Sequence, residues 1–240
     1  MVDKQPSLFF FGIRLDEPVT TATDLIISFV CFYAFYHLSK ISQKKPLHQY
    51  LRFYFMSMGI ATAVGGLIGH GFLHYFSFAW KLPGWLTSML SIALIERASI
   101  EQARKLISRR FGRILAVLNI IELLTFMILT FTTLNFFFVE VHTTYGLLMV
   151  VGSLNIYIYV KTRDPGSRLF LTAVGFSALG ALVFMNQWSI HRWFNYYDLS
   201  HVLLTVAAVY FYRGSRLIIR STSAAKQQSL HREHLDKTGT

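Results

Sequence analysis

Residues 113–138 read RILAVLNIIELLTFMILTFTTLNFFF, a nearly continuous apolar run. A helix needs about 20 mainly apolar residues to cross the roughly 30 Å hydrocarbon core of a bilayer. The run does not alternate between apolar and polar residues, as a strand of a transmembrane barrel does. Because lipid offers the backbone no hydrogen-bond partners, such a segment must satisfy its own polar groups as a helix. The stretch therefore predicts a transmembrane α-helix.

Six other stretches have the same character. With 53% hydrophobic and 15% charged residues, the chain is too apolar for a soluble globule, in which about 25% of residues are charged. We predict an all-α polytopic membrane protein with a seven-transmembrane helix bundle at 20–213. An extracytoplasmic N-terminal segment, 1–19, precedes it, and a disordered cytoplasmic tail, 214–240, follows. The predicted spans are residues 20–39, 51–76, 82–95, 113–138, 141–160, 169–188 and 196–212.

The basic residues predict the orientation. The net charge is +11, but the positive residues cluster in alternate connections rather than on one nucleic-acid-binding face. The positive-inside rule then places the N-terminus outside and the C-terminus in the cytoplasm, in a bacterial inner membrane or a eukaryotic endomembrane. Nucleic acid is excluded as a partner, and membrane lipids are expected. The clusters are Lys40, Lys44, Lys45 and Arg52; Arg97, Arg104, Lys105, Arg109, Arg110 and Arg113; Lys161, Arg163 and Arg168; and Arg213, Arg216 and Arg220.

Ionisable residues recur at one depth, near the outer ends of three predicted spans. Asp24 begins span one, His70 and His74 end span two, and Asp198 and His201 begin span seven. An ionised Asp at the centre of a membrane helix costs about 2.5–3.5 kcal/mol, so such residues are usually functional. Each pair, three or four residues apart, shares a helix face. Imidazoles and carboxylates are zinc ligands, and the set predicts a metal site.

Other polar residues have simpler interpretations. Asp198 can also cap its helix, and a histidine at a span end can hydrogen-bond at the membrane surface. His142 is predicted at the outer turn between spans four and five. Glu96 and Glu122 fall nearer the cytoplasmic side, and Glu122 is expected to pair with a polar neighbour such as Asn119. His231 and His234 are interpreted as surface residues of the tail.

Two short motifs carry a family resemblance. Residues 66–70 read GLIGH and 71–74 read GFLH in span two, and residues 197–204 read YDLSHVLL in span seven. In these motifs and in its span pattern, the chain resembles the superfamily of seven-span membrane hydrolases that includes alkaline ceramidases and the adiponectin and progestin receptors. That family pairs Ser-x-x-x-His in span two with His-x-x-x-His in span seven. The resemblance implies that His70 and His201 bind zinc.

The chain departs from this pattern at three positions. Gly66 stands where the family has Ser, Tyr197 stands where it has the first His of span seven, and span three has no Asp. A third zinc ligand must then come from elsewhere. The candidates are Asp198, His74 and Asp24.

The cluster and the resemblance together predict a zinc-dependent intramembrane hydrolase acting on an amide or ester bond of a lipid. Asp24 is the predicted catalytic residue, either as general base or as the group that orients a ligand imidazole. Two alternatives use the same residues. One is a non-catalytic receptor or transporter that binds a small ligand at the polar cluster. The other is a haem or quinone electron carrier with two axial histidines.

Overall fold

The computed structural model describes residues 5–238, without the side chains of residue 10 and of residues 224–238. Over that range, the chain is an all-α bundle with seven helices that are long and apolar enough to cross a membrane, as the sequence predicts. Strands β1 (Leu8–Phe10) and β2 (Ile13–Leu15) form a small antiparallel hairpin before the bundle. The helices are α1 (Pro18–Ile41), α2 (Pro46–Gly71), α3 (Phe78–Ala103), α4 (Arg109–Thr133), α5 (Phe137–Thr162), α6 (Pro165–Met185) and α7 (Tyr196–Thr238).

Local sequence signals set several helix starts. Proline stands in the first turn of α1, α2 and α6, where its missing N–H would have no helical partner. The side chain of Asp164 accepts a hydrogen bond from the Ser167 backbone N–H at 2.7 Å and caps α6. Irregular turns interrupt the regular helices. The π-helical segments are Gly65–Gly71 in α2 and Tyr145–Gly152 in α5, and the 3₁₀ turns are Leu73–Tyr75 and Phe78–Lys81 at the start of α3.

The last helix is longer than the sequence predicts. The prediction ends span seven at residue 212 and begins a disordered tail at 214, whereas α7 continues to Thr238. Ile218 and Ile219 are buried in the main core, and a Cβ at Gly214 would lie only 2.6 Å from Phe170 Cδ1. This packing explains why the chain stays helical past residue 212, through Ile219. The side chains of His231 and His234 lie outside the described residues.

The main core lies among α1, α2, α3, α5, α6 and α7, while α4 lies at the edge of the bundle. Only 11% of the apolar window of α4 is buried. Its large apolar side chains point outward, which is the surface a lipid-facing helix presents. The exposed ones include Val117, Leu118, Ile121, Leu124, Ile128 and Phe131.

The N-terminal hairpin is an element that the sequence analysis does not anticipate. Phe11 and Gly12 both have positive φ, 50° and 78°, as a type I′ hairpin turn requires. Asp16 then attaches the hairpin to the end of α2: its backbone N–H donates to the Gly71 carbonyl at 2.9 Å. Its carboxylate accepts hydrogen bonds from the His74 backbone at 2.9 Å and from His74 Nδ1 at 2.7 Å. Phe11–Gly12 is only a weak hairpin signal, because the turn usually has Asn or Asp before the glycine.

Replacing Asp16 with Asn is expected to release the hairpin. Burial alone would raise the pKa of Asp16, but hydrogen bonds from His74, Arg14 and Ser7 outweigh burial, so the pKa falls below its usual 3.8. A lowered pKa means that the attachment is present above pH 3.8 and is lost as pH falls through the lower folded value. Hydrogen exchange of residues 7–16, corrected for intrinsic rates, should therefore accelerate in Asp16→Asn at pH 7. The control is Asp164→Asn, at the other end of the bundle, which should leave the exchange of residues 7–16 unchanged. Unchanged exchange in Asp16→Asn would show that Asp16 does not attach the hairpin.

Candidate functional site

A cavity of about 290 Å³ opens into the bundle and receives residues from α1, α2, α3, α5, α6 and α7. We call it the histidine cavity, because His70 and His201 lie on its wall together with Asp24. Most of the lining is apolar, with a few convergent polar groups. That composition is typical of a binding site for a small or lipid-like molecule. Among the lining residues are Trp85, Phe136, Leu147, Phe184, Tyr197 and Leu204.

The two histidines converge on the carboxylate of Asp24. His201 Nε2 lies 3.5 Å from Asp24 Oδ1, and His70 Nε2 lies 4.0 Å from Asp24 Oδ2. The centroids of the two imidazole rings are 6.4 Å apart, and Asp24 is only 6% exposed. Residues from the first, second and last helices thus meet at one point, at the same end of the bundle, as the sequence predicts.

Each imidazole is oriented by a hydrogen bond at its other nitrogen. His70 Nδ1 lies 2.5 Å from Glu17 Oε2, a carboxylate oxygen that accepts the ring N–H. His201 Nδ1 lies 3.0 Å from Thr23 Oγ1, whose hydroxyl donates its own proton to the Thr20 carbonyl. Thr23 therefore accepts from His201 Nδ1. In both rings these contacts leave Nε2 as the atom that faces Asp24.

Backbone geometry in α2 makes this approach possible. His70 lies in the π-helical segment Gly65–Gly71, a type of distortion that occurs frequently at functional sites. A Cβ at Gly66 would lie 2.8 Å from Asp24 Cβ and 3.2 Å from the Thr21 carbonyl oxygen, closer than side chains tolerate. The position where the resembled family has Ser is therefore filled by Asp24 from α1.

Both carboxylate oxygens of the predicted ligand Asp198 are occupied by other groups. Its Oδ2 accepts from Gln5 Nε2 at 2.6 Å and from the Asn195 backbone at 2.7 Å, and its Oδ1 accepts from Thr20 Oγ1 at 2.9 Å. Asn195 Oδ1 in turn accepts from the Tyr197 backbone N–H. Asn195 directly precedes α7 and Asp198 is the third residue of the helix. The two residues therefore cap the start of α7 together, and Asp198 is not itself the N-cap.

His74 is occupied in the same way, because its Nδ1 bonds to Asp16 of the hairpin. Of the three candidates for a third ligand, the structure thus brings Asp24 alone to His70 and His201. Sequence reasoning missed Glu17 and Thr23, which orient the imidazoles. Their position in the first turns of α1, before Asp24, is the signal that could have indicated them.

A second polar cluster lies elsewhere in the bundle. It consists of Glu96, Glu122 and His142, each of which places one possible ligand atom within 4.8 Å of the other two. Among the described residues, those of the histidine cavity do not form a group this close. Asn119 donates to Glu96 at 3.1 Å, whereas Glu122 bonds to His142 at 2.6 Å. Glu122 therefore has a polar partner, as expected, but that partner is His142 and not Asn119.

Comparison with known families gives one match. The model of a family of unknown function, DUF6962, matches residues 19–220. The chain belongs to this family. The matched segment runs from α1 into α7 and contains both polar clusters. No curated protein and no solved structure matches significantly, so the likeness to the seven-span hydrolases rests on the residues quoted above.

Proposed function

We propose that the protein is an integral, multi-pass membrane protein with its N-terminus outside and its C-terminus in the cytoplasm. Seven helices of sufficient length and apolarity support this proposal, as do the outward apolar side chains of α4. The orientation is supported by the Lys and Arg clusters, which follow α1, α3, α5 and the membrane-spanning part of α7.

The orientation predicts where tags are accessible. In sealed vesicles with the outer face exposed, a tag before Val2 should be cleaved by added protease, and one after Thr240 should be protected until detergent is added. The physical reason is the cost of moving the basic connections across the membrane. Cleavage of both tags, or protection of both, in intact vesicles would contradict a seven-span arrangement with this orientation.

We further propose that the histidine cavity is the site of a zinc-dependent hydrolase acting on an amide or ester bond of a lipid. The observation that carries the proposal is the convergence of His70 Nε2 and His201 Nε2 on the carboxylate of Asp24. Two imidazoles and one carboxylate are a common ligand set of catalytic zinc. The contact of His70 with Glu17 is the carboxylate–histidine arrangement that orients zinc ligands.

The residues present fit a metal in donor type and orientation. Glu17 and Thr23 hold the protons on the two Nδ1 atoms, so each Nε2 can donate a lone pair, and Asp24 supplies the third donor. When bound there, zinc would activate water and polarise the scissile carbonyl. Glu140 is the other carboxylate on the cavity wall and is available to take up a proton.

The cavity lining favours a lipid substrate. Aromatic and aliphatic side chains from α3, α5, α6 and α7 form most of the wall and would hold an acyl chain by burying its apolar surface. Asp24 and Glu140 are the two carboxylates on the wall, and the other polar groups include the hydroxyls of Thr62, Ser88 and Ser177. A substrate with a long apolar chain and one amide or ester group matches this distribution.

A second candidate function is a receptor or transporter that binds a small ligand in the cavity. This function is favoured by the distances between the possible metal ligands. The donor atoms of His70, Asp24 and His201 do not all come within 4.8 Å of one another, which is wider than a bound metal ion requires. The haem alternative is less well supported, since the Asp24 carboxylate lies between the Nε2 atoms that would face a haem iron.

Purified full-length protein in detergent micelles distinguishes the two candidates. We would measure bound zinc by elemental analysis and hydrolysis of a fluorescent N-acyl sphingoid lipid and of a matched acyl ester. The hydrolase proposal predicts turnover that a chelator abolishes and added zinc restores. Folded, zinc-loaded protein that binds these lipids but hydrolyses neither would overturn it and favour the binding function.

A further inference from the structure

The second polar cluster joins three helices outside the histidine cavity. Glu96 on α3 and His142 on α5 are both fully buried, and the side chain of Glu122 on α4 is 13% exposed. These three residues lie within candidate membrane-spanning helices rather than in connections. Ionisable groups buried among membrane helices are costly and need a partner.

Hydrogen bonds define the protonation of His142. Its Nε2 lies 3.0 Å from the Met89 carbonyl oxygen, which can only accept, so Nε2 carries a proton. Its Nδ1 lies 2.6 Å from Glu122 Oε1, a distance that requires one proton between the two atoms. The Glu122–His142 pair therefore holds a single exchangeable proton at the centre of the cluster.

The two glutamates each keep one oxygen without a partner. Glu96 Oε2 accepts from Asn119, while Glu96 Oε1 and Glu122 Oε2 are buried and have no hydrogen-bond partner among the described residues. Gly146 makes room for the Glu96 side chain. A Cβ at position 146 would lie closer to Glu96 Oε1 than any hydrogen-bond distance.

Charge balance indicates which ion the cluster can accept. Among the described residues, no Lys or Arg forms a salt bridge with either glutamate. A carboxyl group buried without a cation neutralises itself by keeping its proton, so the cluster holds one proton on Glu96 and one shared by Glu122 and His142, and its net charge is zero. Replacing both protons by a divalent cation gives two carboxylates, a neutral imidazole and two positive charges, which again sum to zero.

We propose that Glu96, Glu122 and His142 form a binding site for a divalent transition-metal ion such as Zn²⁺. An imidazole nitrogen favours such an ion over Mg²⁺ or Ca²⁺. The atoms that do not face the ion are already bonded, Nε2 to Met89 and Glu96 Oε2 to Asn119, as the outer partners of metal ligands are. The ion would attach the weakly buried helix α4 to α3 and α5.

The test uses full-length protein carrying His70→Ala and His201→Ala, so that the histidine cavity cannot contribute a metal. Purified protein is stripped with chelator, titrated with Zn²⁺ alone and measured by elemental analysis. We expect one ion per chain. Glu96→Gln, a neutral isostere that should fold, is expected to abolish binding. Asn119→Ala, which removes an outer partner, should weaken affinity roughly 10–100-fold.

Glu101→Gln is the matched control, because Glu101 lies on the same helix and pairs with Arg104 at the surface. It should bind zinc like its parent. No zinc in the folded parent, or unchanged binding in both Glu96→Gln and Asn119→Ala, would overturn the site. A different result would contradict the hydrolase proposal: replacing His70 and His201 in the wild-type protein would not lower the amount of bound zinc.

Discussion

Replacing His201 with alanine is expected to remove zinc from the histidine cavity and to abolish lipid hydrolysis. The reason is that His201 Nε2 is one of the two imidazole nitrogens that face Asp24, and two donors do not hold a catalytic zinc. His70→Ala should give the same result. Zinc content and hydrolysis of the N-acyl lipid, measured on protein of unchanged helical content, check this.

His191→Ala is the matched control, since His191 is exposed in the connection before α7 and should leave zinc and turnover intact. Glu17→Gln keeps the shape of the group that orients His70 but weakens its hydrogen bond, and it should cost roughly 10–100-fold in zinc affinity. Full activity in His201→Ala would remove the histidine cavity from the mechanism.

The substitution Gly66→Ser, which introduces the residue of the resembled family, is expected to destabilise the protein and to disrupt the site. The new Cβ would meet Asp24 Cβ at 2.8 Å, and neither atom is the mobile end of a side chain. Helices α1 and α2 must therefore separate. Overpacking of this kind costs typically about 1–3 kcal/mol of unfolding free energy. Thermal unfolding in detergent and zinc content measure the two effects.

The control for this prediction is Gly175→Ser, because nothing lies within 4 Å of a Cβ at Gly175 on α6. It should retain both stability and zinc. Adding Asp24→Ala to Gly66→Ser leaves the two Cβ atoms in conflict but removes the carboxyl group, so stability should recover only partly and zinc should not return. Gly66→Ser protein with wild-type stability and zinc would show that α1 and α2 are not in close contact here.

The span pattern could be predicted because length and apolarity alone decide it. The convergence of His70, His201 and Asp24 followed from placing helix ends at a common depth. The partners of His74 and Asp198 could not be predicted in the same way. They depend on the hairpin that folds over α2 and on the capping box of α7, and both are tertiary features with weak sequence signals.

The grouping of His142 with Glu96 and Glu122 was missed for a different reason. The predicted span five begins at residue 141, which places His142 at the outer turn. The helix begins at Phe137, so His142 lies five positions, about 7.5 Å, along it. Glu122 was predicted inside span four and Glu96 directly after span three, but the relative heights of the helices, which bring both residues to His142, are set by packing.

The most direct measurement is anomalous scattering at the zinc edge from crystals of the zinc-loaded, full-length protein. The account predicts an anomalous peak bounded by His70 Nε2, His201 Nε2 and the Asp24 carboxylate, each about 2.0–2.2 Å from the metal. To reach these distances, both imidazole rings must move closer to the Asp24 carboxylate. A zinc-loaded crystal with no peak in the histidine cavity, and with both histidines still hydrogen-bonded only to protein groups, would contradict it.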